Sequence, residues 1–344
     1  MATSPSFRLS VLDQSPVAEG STAADAVRNT LDLARTCDAL GYDRYWLAEH
    51  HASLSIVGVA PEALIGPVAL ATKRIRVGSG GIMLPHFSPF KIAETFRLLG
   101  AIAPGRIDLG LGRAPGSDQR AAFALQRDRS RRMPSDDFPS HVAELLAYLS
   151  DSLPEDHAFA PLAKSLPDGT EGSPDPWMLG SSPDSARWAG ELGLPYCIAD
   201  FINPQAVPLA DIYRRSFQPS RWSAEPHVMV ACWTIAADDR AEAERLSLPS
   251  VMSFAHLLRG DPIRIPSVAK AEAWLAENAA IPRRDRRMLL GDAQQVRAAI
   301  EEVAALYGAQ EMMLVNIMPD HDKRRRSYEL VAGAFGMAKV AEAA

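Results

Sequence analysis

A glutamate and two histidines at the end of an apolar run are the first residues in this sequence whose types suggest catalysis. Glu49, His50 and His51 directly follow the strand-like residues 42–48. Histidine titrates near neutral pH, so it can act as a general acid or base. Side chains alternate along a strand, which predicts that His50 points away from Glu49 and His51. His50 is therefore the leading catalytic candidate, and an imidazole bonded to a backbone carbonyl is the alternative that the sequence leaves open.

The histidine and cysteine pattern argues against a metal site. The ligands of a chelate must converge on one point, whereas adjacent strand residues diverge, and the chain contains no H-E-x-x-H motif. Cys37, Cys197 and Cys232 are odd in number and widely spaced, without a C-x-x-C motif. This usage predicts neither a disulfide framework nor a zinc site, and it fits a reducing cytoplasm.

Three glycines within four residues end a later apolar run. Gly78, Gly80 and Gly81 lack Cβ atoms, so a flat ring could approach the backbone closely there. A bulge or a turn at the end of a strand would explain the same glycines without any ligand. The sequence leaves both explanations open.

Two further segments carry groups that suit a phosphate. Arg113 lies in the run G-L-G-R-A-P-G at residues 110–116, whose third glycine is one place too late for a dinucleotide-binding fingerprint. Its guanidinium instead presents a fork of donors that suits an anion. Ser181, Ser182 and Ser185 surround the predicted start of a helix, where phosphates commonly bind, although helix capping alone would also explain them.

Strand-like runs alternate with helical periods along most of the chain. An amphipathic stretch at residues 23–40, closed by Gly41, follows the first run and predicts a helix. Eight runs are predicted as strands, at residues 7–12, 42–48, 75–80, 106–110, 177–179, 195–199, 227–235 and 312–316. Such alternation predicts an α/β fold, a (β/α)8 TIM barrel, with an open doubly wound sheet as the alternative.

The whole chain, residues 1–344, is predicted as one barrel domain with two insertions. Residues 117–173, after the fourth strand, and residues 246–287, after the seventh, interrupt the alternation. The loops that follow barrel strands form the catalytic face, so an extended loop there commonly serves as a lid or a substrate wall. Residues 246–264 are the candidate lid.

Composition limits the classes of partner. The formal charge of −6 disfavours nucleic-acid binding, which depends on clustered Lys and Arg. The basic runs at residues 129–132, 283–287 and 323–326 have acidic or polar neighbours, which predicts solvated faces. Neither a signal-like start nor an apolar stretch of about 18 residues is present, so we expect a soluble cytoplasmic protein without a membrane partner.

Taken in order, the motifs resemble those of the luciferase-like monooxygenases. The resemblance rests on A-E-H-H at residues 48–51, G-S-G-G-I-M-L-P at residues 78–85 and P-G-R-I-D-L-G-L-G-R-A-P-G at residues 104–116. With S-V-L-D-Q-S-P at residues 10–16, the chain is similar to the single-chain bacterial subgroup related to luciferase α. The resemblance spans nearly the whole sequence.

The resemblance implies a site for reduced FMN. Gly80-Gly81 matches a nonproline cis peptide that lies against the flavin ring, and His50 matches the catalytic histidine beside it. Glu49 and His51 are implied to orient or support His50 as members of the catalytic set. The residues that match the phosphate-binding positions are Arg113, Ser181, Ser182 and Ser185.

The implied reaction is monooxygenation. Reduced FMN from a separate flavin reductase and O2 would oxygenate a small organic substrate such as an aldehyde, and the absence of a nicotinamide fingerprint favours this two-component form. Trp46, Met83 and Phe87 are candidate walls of an apolar pocket, with core packing as the alternative for each. A homodimer is expected, with residues 60–71 as its face, unless those residues are buried core.

Two other functions stay open. Relatives in the wider family use a deazaflavin for hydride transfer, and this chain could do the same. A noncatalytic flavin-binding protein is the second alternative, against which the presence of His50 argues.

Overall fold

Eight parallel strands close into a barrel. The computed structural model describes residues 7–113, 119–126, 137–167, 173–278 and 286–337, so the predicted basic run at residues 129–132 lies outside it. Strands β1 to β7 pair in sequence order, β7 pairs with β9, and β9 returns to β1, while β8 pairs with β7 outside the ring. The strands are β1 (Arg8–Asp13), β2 (Arg44–Leu47), β3 (Arg76–Met83), β4 (Ile107–Gly112), β5 (Asp175–Gly180), β6 (Tyr196–Ala199), β7 (Val228–Ala236), β8 (Met288–Gly291) and β9 (Glu311–Val315).

Helices surround the barrel. Within the described residues, none of them is long and apolar enough to span a bilayer. The helices are α1 (Ala23–Leu40), α2 (Pro61–Ala71), α3 (Pro89–Ile102), α4 (Gln119–Leu125), α5 (Phe138–Leu149), α6 (Ala160–Ala163), α7 (Pro183–Glu191), α8 (Val207–Ser216), α9 (Arg240–Leu258), α10 (Val268–Glu277), α11 (Ala293–Tyr307) and α12 (His321–Ala334).

Local sequence signals explain where the helices begin and end. The Thr22 hydroxyl accepts a hydrogen bond from the backbone N–H of Asp25 at 3.2 Å, and the Asp25 carboxylate accepts one from the backbone N–H of Thr22 at 2.8 Å. Gly41 ends α1 at a φ of 85°, a left-handed conformation that glycine adopts without steric cost. The helix predicted at residues 23–40 is confirmed. Asp292 and Gly308 bracket α11 with the same signals, so this helix could also have been predicted.

Charged side chains close the amino end of the barrel. Arg44 lies between two carboxylates, with its Nη1 2.7 Å from Asp108 Oδ2 and its Nε 3.0 Å from Glu311 Oε1. Burial alone would raise the pKa of Glu311, but the hydrogen bond with His227 and the charges of Arg44 and Arg8 lower it to about 2. Because unpaired buried charges are costly, these groups hold one another in place.

Apolar and aromatic side chains fill the barrel above this charged layer. Trp46 and Trp177 pack edge to face with ring centroids 5.3 Å apart, and the indole N–H of Trp46 donates to Asp108 at 2.8 Å. Leu12 and Met313 pack in the same inner cluster. A barrel interior filled in this way leaves the carboxyl ends of the strands as the place for a ligand.

The predicted (β/α)8 barrel is confirmed. An open doubly wound sheet is excluded because β1 pairs with both β2 and β9. Each of the eight predicted strands overlaps one strand of the ring. The prediction misses β8, which lies outside the ring and directly follows the segment interpreted as an insertion.

Two expectations about polar segments are wrong. Residues 246–264 are predicted as a loop, but most of them continue α9, and the next residue, Ile265, packs inside the barrel. Arg324 belongs to a run predicted as a solvated face, yet it is 1% exposed and its Nη2 lies 2.7 Å from Asp13 Oδ1. Its partner lies 311 positions away in the chain, so local charge patterning could not reveal the pair.

Candidate functional site

A cavity opens at the carboxyl ends of the barrel strands. Its volume is about 440 Å³, which is ordinary for a small-molecule site. Every strand of the ring, or the loop that follows it, contributes to its lining. Seven of the nine predicted site residues line this His50 cavity: His50, Gly80, Gly81, Arg113, Ser181, Ser182 and Ser185.

The imidazole of His50 is held in its neutral form. Burial, reinforced by the charge of His51, lowers the pKa of His50 from 6.5 to about 4. Its Nδ1 is buried and has no hydrogen-bond partner among the described residues. The alternative of an imidazole satisfied by a backbone carbonyl therefore does not hold for Nδ1. At neutral pH the ring can donate a hydrogen bond from one nitrogen and accept one at the other.

Glu49 and His51 lie behind the cavity wall and do not line it. The Glu49 carboxylate is fully buried, accepts a hydrogen bond from the backbone N–H of Met83 at 2.8 Å and has its other oxygen 2.8 Å from Nε2 of His51. Burial raises the pKa of Glu49, and the contacts with His51 and Met83 oppose that rise. The sequence places both residues in the catalytic set with His50. Their contacts are those of positioning residues, because they join the end of β2 to the end of β3.

The glycines of β3 lie where neighbouring side chains and strands come very close. The peptide bond between Gly80 and Gly81 is cis, and both residues line the His50 cavity. A Cβ atom on Gly80 would lie 2.5 Å from Leu12 Cδ1, and one on Gly81 would lie 2.7 Å from the Gly110 carbonyl oxygen. The pairing of β3 with β4 also shifts register here, as the bulge explanation predicts. Packing within the barrel thus demands glycine at Gly81, where the neighbouring atom belongs to the backbone, and the bare backbone of both glycines lines the cavity.

A positive rim lies on the β4 and β5 side of the cavity. Arg113 is exposed, and its guanidinium carbon lies 5.1 Å from the centre of the Trp188 ring on α7. Such stacking restrains a guanidinium and leaves its donors available to a ligand. The N-terminus of α7 adds the positive end of a helix dipole beside it. Residues 114–116 of the same glycine-rich run lie outside the described part of the chain.

The serines at this rim differ in what they can offer. Ser182 caps α7, because its hydroxyl accepts a hydrogen bond from the backbone N–H of Ser185 at 3.3 Å. The Ser185 hydroxyl lies 2.8 Å from the Ser182 carbonyl oxygen and 2.9 Å from the Tyr196 hydroxyl. The capping explanation therefore holds for both, whereas Ser181 precedes the cap and is half-buried at the cavity.

The apolar wall of the cavity differs from the one expected. Of the three candidate wall residues, only Met83 lines the cavity; Trp46 is buried beneath Gly80, and Phe87 packs against the outer core. Phe201 and Ile202, in the loop after β6, form a wall that sequence reasoning missed. Their position directly after a predicted strand end was the available signal.

Within the described ranges, no group of three or more His, Cys, Asp or Glu side chains is arranged to hold a metal ion.

Comparison with known proteins assigns the family. The model of the luciferase-like monooxygenase family matches residues 7–310. The chain belongs to that family. A luciferase-like monooxygenase of Escherichia coli (strain K12) is 39% identical over 332 residues, which cover 95% of this chain and 97% of the relative. The N-acetyl-S-alkylcysteine monooxygenase of Bacillus subtilis (strain 168) is 35% identical over 340 residues, or 97% of this chain and 99% of that relative.

Solved structures share the fold. The crystal structure of apo-MsnO8 has a TM-score of 0.87 and 36% identity, and the match covers 96% of this chain and 98% of that chain. The FMN complex of the oxygenating constituent of 3,6-diketocamphane monooxygenase from Pseudomonas putida has a TM-score of 0.70 and 20% identity, covering 95% and 96%. An F420-dependent secondary alcohol dehydrogenase with an F420–acetone adduct has a TM-score of 0.62 and 16% identity, covering 94% and 99%. Neighbours with this fold thus bind FMN or F420.

We expect His50 to make the ligand-free protein less stable in mild acid. The unfolded chain binds a proton at His50 near pH 6.5 and the folded protein only near pH 4, so protons favour unfolding between these values. Lowering the pH from 7 to 5 should therefore reduce the unfolding free energy of the wild type by ~2 kcal/mol more than it reduces that of His50→Asn. The asparagine of the variant does not titrate in this range. Urea denaturation at both pH values measures the difference. An equal pH effect in the two proteins would contradict a neutral, buried imidazole.

Proposed function

We propose that this protein is an FMN-dependent monooxygenase that receives reduced FMN from a separate reductase. The observation that carries the proposal is the combination of groups in one cavity: a neutral imidazole, a bare glycine backbone and a positive rim. Each of these suits a different part of a phosphorylated flavin. The family assignment supports the same reaction class.

The residues present fit FMN. Arg113, Ser181 and the N-terminus of α7 would hold the phosphate, because a fixed guanidinium and a helix N-terminus both favour an anion. The backbone of Gly80 and Gly81 would face the flat ring. The unpartnered Nδ1 of His50 would gain a hydrogen-bond partner in the ring or in the substrate. Ser182 and Ser185 would act mainly by shaping the helix start.

The chain's own residues control protons and water. Reduced FMN, when bound, supplies the electrons with which O2 is split, so that one oxygen atom enters the substrate and the other leaves as water. His50 would give or take a proton at its buried nitrogen as that happens. Met83, Phe201 and Ile202 line the cavity with apolar surface, which would help to exclude water once the cavity is occupied. Glu49 would hold the loop that carries His50 against the end of β3.

The partners in this proposal follow from the same features. The Gly110–Gly116 run departs from a nicotinamide fingerprint, so a separate reductase would supply the reduced flavin. The name of the Pseudomonas putida neighbour, an oxygenating constituent, supports a two-component system. The substrate would be a small organic molecule such as an aldehyde, and a cytoplasmic location would fit the three free, buried cysteines among the described residues.

Hydride transfer with a deazaflavin is the second candidate. It is favoured by the F420-dependent dehydrogenase that shares the fold. A deazaflavin would need the same flat floor and anionic rim, so the cavity alone does not separate the two cofactors. A noncatalytic flavin-binding protein is the third possibility, and each becomes an outcome of the first test below.

We also propose that two copies pair through α2 and α3. Leu70 is 75% exposed, and Leu98 and Ile102 are 57% and 42% exposed on the neighbouring helix. The buried-core explanation holds for Ile65 and Val68 on α2, whereas Leu70 on the same helix is exposed. An exposed apolar surface of this kind is typical of an interface.

We expect His50→Ala to lose oxygen transfer and to keep FMN. Loss of a general acid or base typically lowers turnover about 10²- to 10⁴-fold, whereas binding of the phosphate and ring should change little. Incorporation of label from ¹⁸O₂ into a panel of aldehydes and thioethers measures transfer, FMN fluorescence measures binding, and His157→Ala is the control. Turnover with reduced deazaflavin and no label from O2 would instead indicate hydride transfer. FMN binding without turnover of either kind would indicate a noncatalytic protein.

The double variant Leu70→Glu/Leu98→Glu should be monomeric, because two buried carboxylates would destabilise an apolar interface. Sedimentation velocity at micromolar concentration measures the mass of the wild type and the variant. Leu306→Glu, which changes a leucine that is 51% exposed on α11, is the matched control and should remain dimeric. A wild type that sediments as a single chain would refute the proposed dimer.

A further inference from the structure

A second cavity lies between α9, α10 and β8. This α9 cavity has a volume of about 630 Å³, which is within the range of small-molecule sites. Val251, Phe254 and Leu258 line it from one face of α9, at spacings of three and four residues. Trp274 and Met288 extend the apolar wall from α10 and β8. The lining suits an organic molecule with a largely apolar body.

Charged side chains on α9 that line this cavity are engaged in ion pairs. Arg245 Nε lies 2.6 Å from Glu272 Oε1, and Glu244 Oε1 lies 2.9 Å from Arg240 Nε. These pairs are exposed, so they form the polar edge of the cavity and leave its interior to apolar side chains.

Arg286 belongs to a run predicted as a solvated face, yet it is half-buried and lines the α9 cavity. Its guanidinium carbon lies 3.4 Å from the centre of the Phe254 ring. A guanidinium packed on an aromatic face in this way is engaged by the protein and forms part of the wall.

The two serines of the lining are also satisfied. The Ser247 hydroxyl donates to the Glu244 carbonyl oxygen at 2.7 Å, and the Ser250 hydroxyl donates to the Ser247 carbonyl oxygen at 2.7 Å. Both bonds stay within α9. These hydroxyls therefore have no need of a ligand.

Trp233 brings a buried donor to the wall of the α9 cavity. Its side chain is 5% exposed, and its indole N–H has no hydrogen-bond partner among the described residues. An indole N–H can only donate, so the partner it lacks is an acceptor. A buried donor destabilises the protein unless an acceptor reaches it. In an apolar cavity, an uncharged carbonyl oxygen meets that need at a lower desolvation cost than an anion.

One aromatic contact separates the α9 cavity from the His50 cavity. Trp233 lines the first and Phe201 lines the second, and their rings pack edge to face with centroids 6.0 Å apart. Phe201 is half-buried and the adjacent Ile202 is 43% exposed, so the loop after β6 forms the open side of this boundary. A molecule bound against Trp233 therefore lies beside the wall of the His50 cavity.

We propose that the α9 cavity binds the apolar body of the organic substrate and that Trp233 anchors it by donating its indole N–H to a carbonyl oxygen. This carbonyl is not the group that is oxygenated, because Phe201 stands between Trp233 and the His50 cavity. The substrate class is a largely apolar molecule with an uncharged carbonyl group in its anchored part. Trp233 is then a specificity-determining residue. This assignment rests on the monooxygenase function proposed above.

Acetophenone and α-methylstyrene form the test pair, because they share a shape and differ only in a carbonyl oxygen that is replaced by a methylene group. The ratio of their affinities for the full chain isolates the contribution of the acceptor. Trp233→Phe should lower the preference for acetophenone about 2- to 12-fold, the loss of one hydrogen bond. Trp274→Phe, which changes a half-buried tryptophan of the same cavity, is the matched control and should keep the preference.

Equilibrium dialysis measures both affinities. An unchanged ratio in Trp233→Phe, or an equal fall in both variants, would overturn the proposal.

An NMR readout at Trp233 guards against a variant that simply folds badly. The wild-type indole N–H resonance that Trp233→Phe removes should move further downfield with acetophenone than with α-methylstyrene. Both probes carry the same aromatic ring, so the difference between the two shifts reports the hydrogen bond. Equal shifts would contradict an anchor at Trp233.

FMN separates this proposal from the proposed function. Acetophenone should bind equally well to the free and the FMN-loaded protein, because the two cavities are distinct. Displacement of acetophenone by FMN would place it in the His50 cavity and overturn the proposal. FMN binding without the Trp233-dependent preference refutes the carbonyl anchor alone. Absence of FMN binding refutes the proposed function, and with it the role of the anchored molecule as a substrate.

Discussion

The filling of the barrel interior is the constraint on which the rest of the structure depends. Arg44, Asp108 and Glu311 neutralise one another at the amino end, and Trp46 and Trp177 fill the space above them. If these charges were not paired with one another, burying them would be too costly. If the two tryptophans were absent, the barrel interior would contain empty space. Because the interior is filled, the space that the barrel strands offer to a ligand lies where those strands end. Groups from distant parts of the chain therefore meet at one face.

The electrostatics of that face divide it into two sides. On the β2 side, burial keeps the His50 imidazole neutral, and the buried Glu49, next to it in the chain, is bonded to the backbone of Met83. On the β4 and β5 side, Arg113 and the N-terminus of α7 form a positive rim. A neutral imidazole, bare backbone and a positive rim that line one cavity fit a molecule with a flat ring and a charged tail. This division links the fold to the proposed flavin chemistry.

The sequence predicted those features that depend on local order. Parallel barrel strands are buried on both faces, so they appear as short apolar runs, and the residues directly after them, such as His50, point to the catalytic face. Features that depend on distant partners were not predictable in this way. Arg324 is buried because Asp13 faces it, and Arg286 lines a cavity because α9 and β8 pack beside it. The glycines of β3 are an intermediate case: their pattern was visible in the sequence, but the demand for glycine at Gly81 comes from the backbone of Gly110 on the neighbouring strand.

The central claim is that the rim at Arg113 binds the phosphate of a flavin whose ring lies beside His50. The most direct measurement compares the affinities of FMN and riboflavin, which differ by that phosphate, for the wild type and for Arg113→Ala. A charged hydrogen-bond donor contributes about 1.5–3 kcal/mol, so the preference for FMN over riboflavin should fall about 10- to 100-fold in the variant while riboflavin binding is unchanged. An identical preference in the two proteins would contradict the account.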